Sequence, residues 1–130
     1  MKKLLPILLF LAILSCDNES NPDDCPQNLI CTEQFEILTI ELTENGEAIL
    51  LSDYEILNLD NNNTYTYDEY WLSDEPGIYP VLSDGEMDEI QKEGTTLRLV
   101  GTLENGDAFE VEFMAGHDCC HVISISGPFS

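Results

Sequence analysis

Phe109, Val111 and Phe113 alternate with Glu110 and Glu112, a period of two that gives a half-buried strand one apolar and one charged face. The same period runs through residues 95–103, where Leu97, Leu99 and Leu103 share a face and Arg98 lies on the other. Glu104-Asn105-Gly106-Asp107 joins these runs, and Asn-Gly between such segments is the strongest short hairpin signal. A second Asn-Gly, in Glu44-Asn45-Gly46-Glu47, follows residues 35–42, which are rich in Ile, Leu and Thr and free of Gly and Pro. The flanks of the two Asn-Gly turns differ, so they establish no internal repeat. Further strands fall at residues 54–59, closed by Asp60-Asn61-Asn62-Asn63, and at 64–67, 78–82 and 121–126. Asp74-Glu75-Pro76-Gly77 separates two of them, and Pro80, lacking an N–H, puts the 78–82 strand at an edge. Residues 84–93 break the alternation: Met87 and Ile90 are three apart, Asp84 is a cap and Gly94 a terminator, which predicts one or two helical turns. The expected fold is all-β, an antiparallel sandwich of about seven strands with one short helical turn.

The start of the chain follows another pattern. Lys2 and Lys3 precede an apolar run at residues 4–14, broken only by Pro6. That run is about half of the roughly 20 residues a membrane-crossing helix needs, and it reads as a signal peptide over residues 1–15. Ile13-Leu14-Ser15-Cys16 resembles a lipobox, the cleavage site of bacterial lipoproteins. The resemblance implies cleavage before Cys16 and a diacylglycerol thioether on its sulfur, so that the membrane is a partner through this lipid. The competing reading is an ordinary secreted chain whose Cys16 lies near the cut. Stable anchoring takes two or more acyl chains, which lipoprotein modification supplies. Residues 17–24 offer no apolar side chain to bury and are expected, with Cys16, to form a disordered tether reaching about 25–30 Å when extended. An acidic stretch there resembles the surface-export signal of Bacteroidota lipoproteins, although a generic spacer has the same composition. Residues 25–130 form the domain.

Charge narrows the choice of partners. The chain carries 26 acidic and four basic residues, a formal charge of −22. Removing residues 1–15 takes away Lys2 and Lys3 and makes it two units more negative. Such a surface repels nucleic acid and anionic head groups. The acids are spread among apolar residues, as on a solvated face, and a 43% apolar content is ample for a core.

With its acidic-tethered lipobox, Tyr79-Pro80-Val81 and Asp118-Cys119-Cys120-His121-Val122, the chain resembles small Bacteroidota lipoproteins with an immunoglobulin- or transthyretin-like sandwich. The resemblance implies that fold and a place in the cell envelope, at the outer membrane and exposed at the surface. It implies no activity.

Cysteine chemistry offers the sharpest candidates. Export places Cys25, Cys31, Cys119 and Cys120 where disulfides form. Adjacent Cα atoms lie about 3.8 Å apart, too close for the usual bridge span. The two complete pairings left both tie the N-terminal segment to the C-terminal strand. Alternatively, were residues 116–122 extended, His117, Cys119 and His121 would project to one face. Thiolate and imidazole suit zinc or copper, with Cys25 or Cys31 as a fourth ligand, yet the spacing matches no strong zinc signature. Asp60, Asn62 and Thr64 alternate like a calcium loop, but Tyr65 stands where glycine is needed and Trp71 where glutamate is. No Gly-x-Ser-x-Gly accompanies Ser83-Asp84-Gly85 and the histidines. Tyr65, Tyr67, Tyr70, Trp71 and Tyr79 stack on sugars or grip a protein in one reading, and cover a sheet as cross-strand pairs in the favoured one. Together these features predict a lipid-anchored, non-catalytic binding or structural module of the envelope with a protein or glycan partner. A metal-binding or thiol-redox lipoprotein using His117, Cys119, Cys120 and His121 is the alternative.

Overall fold

A computed structural model describes residues 25–130; the expected signal peptide, Cys16 and tether lie outside the described residues. The chain forms β1 (Ile37–Glu41), β2 (Thr43–Glu44), β3 (Glu47–Ala48), β4 (Leu51–Asn58), β5 (Thr64–Tyr65), β6 (Ile78–Ser83), β7 (Thr95–Leu103), β8 (Ala108–His117) and β9 (Val122–Ser126). A five-stranded antiparallel sheet runs β5-β4-β7-β8-β9, and β1 pairs with β6 in a second layer. Apolar side chains from both layers meet between them: Ile56, Leu97, Leu99, Phe113 and Ala115 from the large sheet, Ile40 and Val81 from the small one. The all-β antiparallel sandwich is as the alternation predicts.

Among the described residues the strands number nine rather than about seven because Asn45-Gly46 splits off a small ribbon, β2–β3. Both turn residues have positive φ, 54° and 81°, the form whose twist matches that of the strands. The second Asn-Gly turns differently. Gly106 N donates to Leu103 O (2.9 Å) and Leu103 N to Asp107 O (2.8 Å), and of the two only Gly106 has positive φ. Opposite that hairpin's strands, Arg98 faces Glu112 directly and binds it at 2.6 Å.

Pro80 does stand on an edge strand, since β6 has β1 as its strand partner. The other side of β1 takes the chain's end: Glu41 N donates to Pro128 O (2.8 Å) and Ser130 N to Thr39 O (3.1 Å). The C-terminal residues thus leave the large sheet after β9 and join the small one, crossing at Gly127. Its φ of 131° and the 2.6 Å that would separate an added Cβ from Phe113 Cβ leave room for no side chain.

The helical segment is shorter than residues 84–93, and its cap lies one residue earlier than expected. A 3-10 turn spans Asp84–Glu89, capped by Ser83 and ended at Ile90, not at Gly94. Ser83 Oγ accepts from Gly85 N and Glu86 Oε2 accepts from Ser83 N, a reciprocal capping box. Asp84 does not cap because its carboxylate is bonded elsewhere, to Glu36, His121 and Val122. Ile90 ends the turn by being drawn into the core. A second 3-10 turn, Glu69–Trp71, has no counterpart in the expected pattern.

The middle aromatics do not act as one set. Tyr65 is buried and its hydroxyl accepts from Asn58 Nδ2 (3.0 Å). Tyr79 meets Tyr54 of the opposite layer edge-on at 5.2 Å. Tyr70 and Trp71 sit exposed on the second 3-10 turn, so the expected cross-strand pairing fails for them.

Gly127→Ala should lower the unfolding free energy by more than about 2 kcal/mol, since positive φ and collision with Phe113 add. Gly106→Ala, with open space around it, should cost only about 1 kcal/mol. Denaturant unfolding of the two full-length variants checks the ranking.

Candidate functional site

Strand β8 ends at His117, and the next four residues turn instead of extending. Asp118 N donates to His121 O (3.0 Å), while Asp118 Oδ1 accepts from Cys120 N (2.9 Å) and His121 N (2.8 Å). Those two backbone bonds hold the Asp118 carboxyl below its ordinary pKa. Cys119 and Cys120 are therefore the two loop residues of a hairpin, and Cys119 has φ 75°, a position that favours glycine.

Both loop residues are bridged to the N-terminal segment. Cys25 bonds to Cys119 with Cα atoms 5.5 Å apart, and Cys31 to Cys120 at 5.3 Å. Of the two open pairings, this one leaves the partners in sequence order, 25 with 119 and 31 with 120. Closing the separation of 94 residues contributes about 4–5 kcal/mol on the chain-entropy estimate. The second bridge closes a ring running only through residues 25–31 and 119–120, for about 2–3 kcal/mol more.

Because the segment turns, His117, Cys119 and His121 do not share a face. Cys25, His117 and Cys119 come together instead, their ligand atoms all within 4.8 Å of one another. His117 is buried, and its Nδ1 accepts from Cys119 N at 3.1 Å, which leaves the ring proton on Nε2. With Cys25 and Cys119 joined, neither sulfur is the thiolate that zinc or copper takes.

His121 lies on the other side of the turn, in a clamp absent from the sequence reading. Its Nδ1 is 2.7 Å from Asp84 Oδ2 and its Nε2 2.9 Å from Thr32 Oγ1. Asp84 also accepts from Glu36 N (2.9 Å) and Val122 N (2.8 Å). Three parts of the chain thus converge on one carboxylate: the N-terminal segment, the first 3-10 residue and the start of β9. The Asp84 bond, against a smaller effect of burial, raises the His121 pKa. Burial alone would raise the Asp84 carboxyl; the bonds from His121, Glu36 and Val122 outweigh it and hold the carboxyl low. Threonine, histidine and aspartate in this connectivity resemble a nucleophile with its base and orienting acid. In the protonated form that the Asp84 bond favours, however, the ring donates both N–H groups and takes no proton from Thr32.

The sequence held one signal for this corner, the Ser83-x-x-Glu86 capping box, which marks Asp84 as the residue after a cap. Nothing local in the sequence points to Thr32. No family model, curated protein or solved structure was found to match this chain.

Replacing Cys31 and Cys120 together by Ser should lower stability by about 2–3 kcal/mol, and so should replacing Cys25 and Cys119, because either bridge alone closes the long loop. Losing both bridges should cost about 7 kcal/mol, comparable to the whole stability of a small domain. Denaturant titrations of the three oxidised full-length variants test this; single losses that sum to the double loss would contradict the nested ring.

His121 should also give a pH signature. Its raised pKa means the folded chain holds the proton more tightly than the unfolded one, whose histidine titrates near about 6.5. That stabilisation is complete below about pH 6.5 and disappears as pH rises through the raised value. Asp84 contributes on the other limb, losing its share as pH falls through its lowered pKa. Stability should therefore drop as pH rises from about 6.5 through the raised value, and His121→Gln should flatten that drop in parallel thermal melts.

Proposed function

We propose that this chain is a cell-envelope lipoprotein whose residues 25–130 form a non-catalytic binding or structural module. In this reading residues 1–15 direct export, Cys16 carries the lipid, and residues 17–24 hold the domain off an outer membrane, with its face exposed at the surface. The observation that carries the reading is Leu14-Ser15-Cys16 at the point where a short apolar run gives way to acids. Two disulfides across the domain support it, because such bonds persist in oxidising compartments. Among the described residues no helix is long and apolar enough to cross a membrane. The kinship with small Bacteroidota lipoproteins is part of the same proposal and rests on the motifs quoted above.

The non-catalytic element is supported by the state of the polar side chains that converge. Asp84 and His121 are engaged in bonds within the fold, and the sulfurs are paired. A second reading, a metal-binding or thiol-redox lipoprotein, is favoured by one observation, the closeness of Cys25, His117 and Cys119. Thiol titration of the unreduced chain separates the two: paired sulfurs without bound zinc or copper support the module, and free thiols with co-purifying metal support the alternative.

Cys16→Ser should abolish incorporation of labelled fatty acid and leave an unprocessed or soluble precursor. Metabolic labelling followed by fractionation reads both, and undiminished label in the variant would overturn the anchor.

A further inference from the structure

The exposed 3-10 turn Glu69–Trp71 forms one wall of a cleft of about 160 Å³. Trp71 is 44% exposed and meets Phe35, itself 53% exposed, with ring centroids 6.2 Å apart. Tyr67 lines the same cleft, with Glu86, Asp68 and Ser83 as its polar side. Burying two large rings would be the ordinary use of such residues, and this fold leaves them at the surface around a hollow.

Three observations define what the hollow fits. First, the rings that line the cleft form a cup rather than a platform: Phe35 and Trp71 are inclined by 39°, with Tyr67 beside them. A sugar stacks on one flat face, whereas inclined rings surround a compact cation. Second, one of the two acids is held in place. Glu86 Oε2 accepts from Ser83 N (2.8 Å), Ser83 Oγ (2.6 Å) and the Tyr67 hydroxyl (3.4 Å). Burial, with Glu86 adding to it, raises the Tyr67 pKa, so the phenol stays a donor. Asp68 is the N-cap of its turn, yet its side chain makes no capping bond, which leaves the carboxylate for the cleft it lines. Third, the flanks are acidic. Glu33 and Glu36 bracket Phe35, and Glu69, Asp74 and Glu75 surround Tyr70 and Trp71, on a chain with 26 acids and four bases. An anionic ligand is repelled there and a cation is drawn in.

We propose that the cleft between Phe35, Tyr67 and Trp71 receives the lysine or arginine side chain of a partner polypeptide. A polypeptide is favoured over a free amine because the apolar surface continues beyond the cup. Leu72, the residue after Trp71, and Leu50 are both about two-fifths exposed and line a second hollow together with Ile78 and Tyr79. A segment carrying one basic side chain and apolar neighbours covers both. This deepens the reading of the domain as a binding module and names its ligand class.

Trp71 is the chain's single tryptophan, so its fluorescence reports on the cleft alone. The full chain, purified in a non-ionic detergent, is titrated with a short peptide of leucines around one arginine, with the same peptide carrying glutamine, and with maltohexaose. The arginine peptide should give a saturable change, and the glutamine peptide should bind about fivefold or more weakly. Phe35→Ala and Glu86→Gln should each weaken the arginine peptide about threefold to tenfold. Gln remains a capping-box residue, so the second variant keeps the turn. Equal affinity for the arginine and glutamine peptides, or no response to either, overturns the proposal. Saturation by maltohexaose alone also overturns it while leaving a binding module in place, and the labelling of Cys16 is independent of every arm.

Discussion

Two adjacent cysteines on a two-residue turn hold the first part of this domain in place, and most of its N-terminal geometry follows from them. Residues 25–36 contribute no strand. Leu29 and Ile30 stay exposed, so burial of apolar surface gives this segment little reason to settle. Its position comes from the bonds of Cys25 and Cys31 to Cys119 and Cys120, and then from the Thr32–His121–Asp84 clamp beside them. The covalent pair also holds Cys119 at a φ that a non-glycine residue seldom adopts. Phe35, one wall of the aromatic cleft, is held toward Trp71 between this fixed segment and Glu36, whose N–H and carbonyl both bond to Asp84.

The charge of the chain gives these bonds added weight. With 26 acids against four bases, the folded state brings like charges closer than the unfolded chain does, and net repulsion disfavours compaction. Few cations are present to offset it. Arg98 is paired with Glu112 on the open face of the sheet, where an exposed ion pair contributes little. His121 is placed better, facing a carboxylate that already accepts two backbone N–H groups. Bridges between the ends of the domain restrict the unfolded chain whatever its charge, and so stabilise where ion pairs cannot.

Much of the fold was legible because its strands obey a period of two. The runs at 95–103 and 109–113 announce themselves through Leu97, Leu99, Phe113 and their charged neighbours, and the Asn-Gly turns fix where the chain reverses. Edge placement of β6 followed from Pro80 alone. Illegible features depended on distant partners. Asp84 looked like a cap until Glu36 and Val122 claimed its oxygens, which moved the cap to Ser83. Whether residues 118–121 extend or turn was open, because Asx bonding by Asp118 competes with an extended backbone and local pattern does not show which wins. Pairing of the four cysteines was narrowed but not chosen, since both remaining arrangements satisfy the same local geometry. Trp71 and Phe35 lie far apart in sequence, and no periodicity predicts that they share a cleft.

The position of Cys25, at the start of the described domain, has a mechanical meaning. A pull transmitted along the residues that precede it does not peel residues 26–36 from the surface one contact at a time. The tension passes from Cys25 through its sulfur bridge into the hairpin between β8 and β9, deep in chain order and next to the core. To yield, the domain must give up a whole hairpin at once or break a covalent bond. Release of the leading segment without unfolding thus requires a thiol to reach both that bridge and Cys31–Cys120.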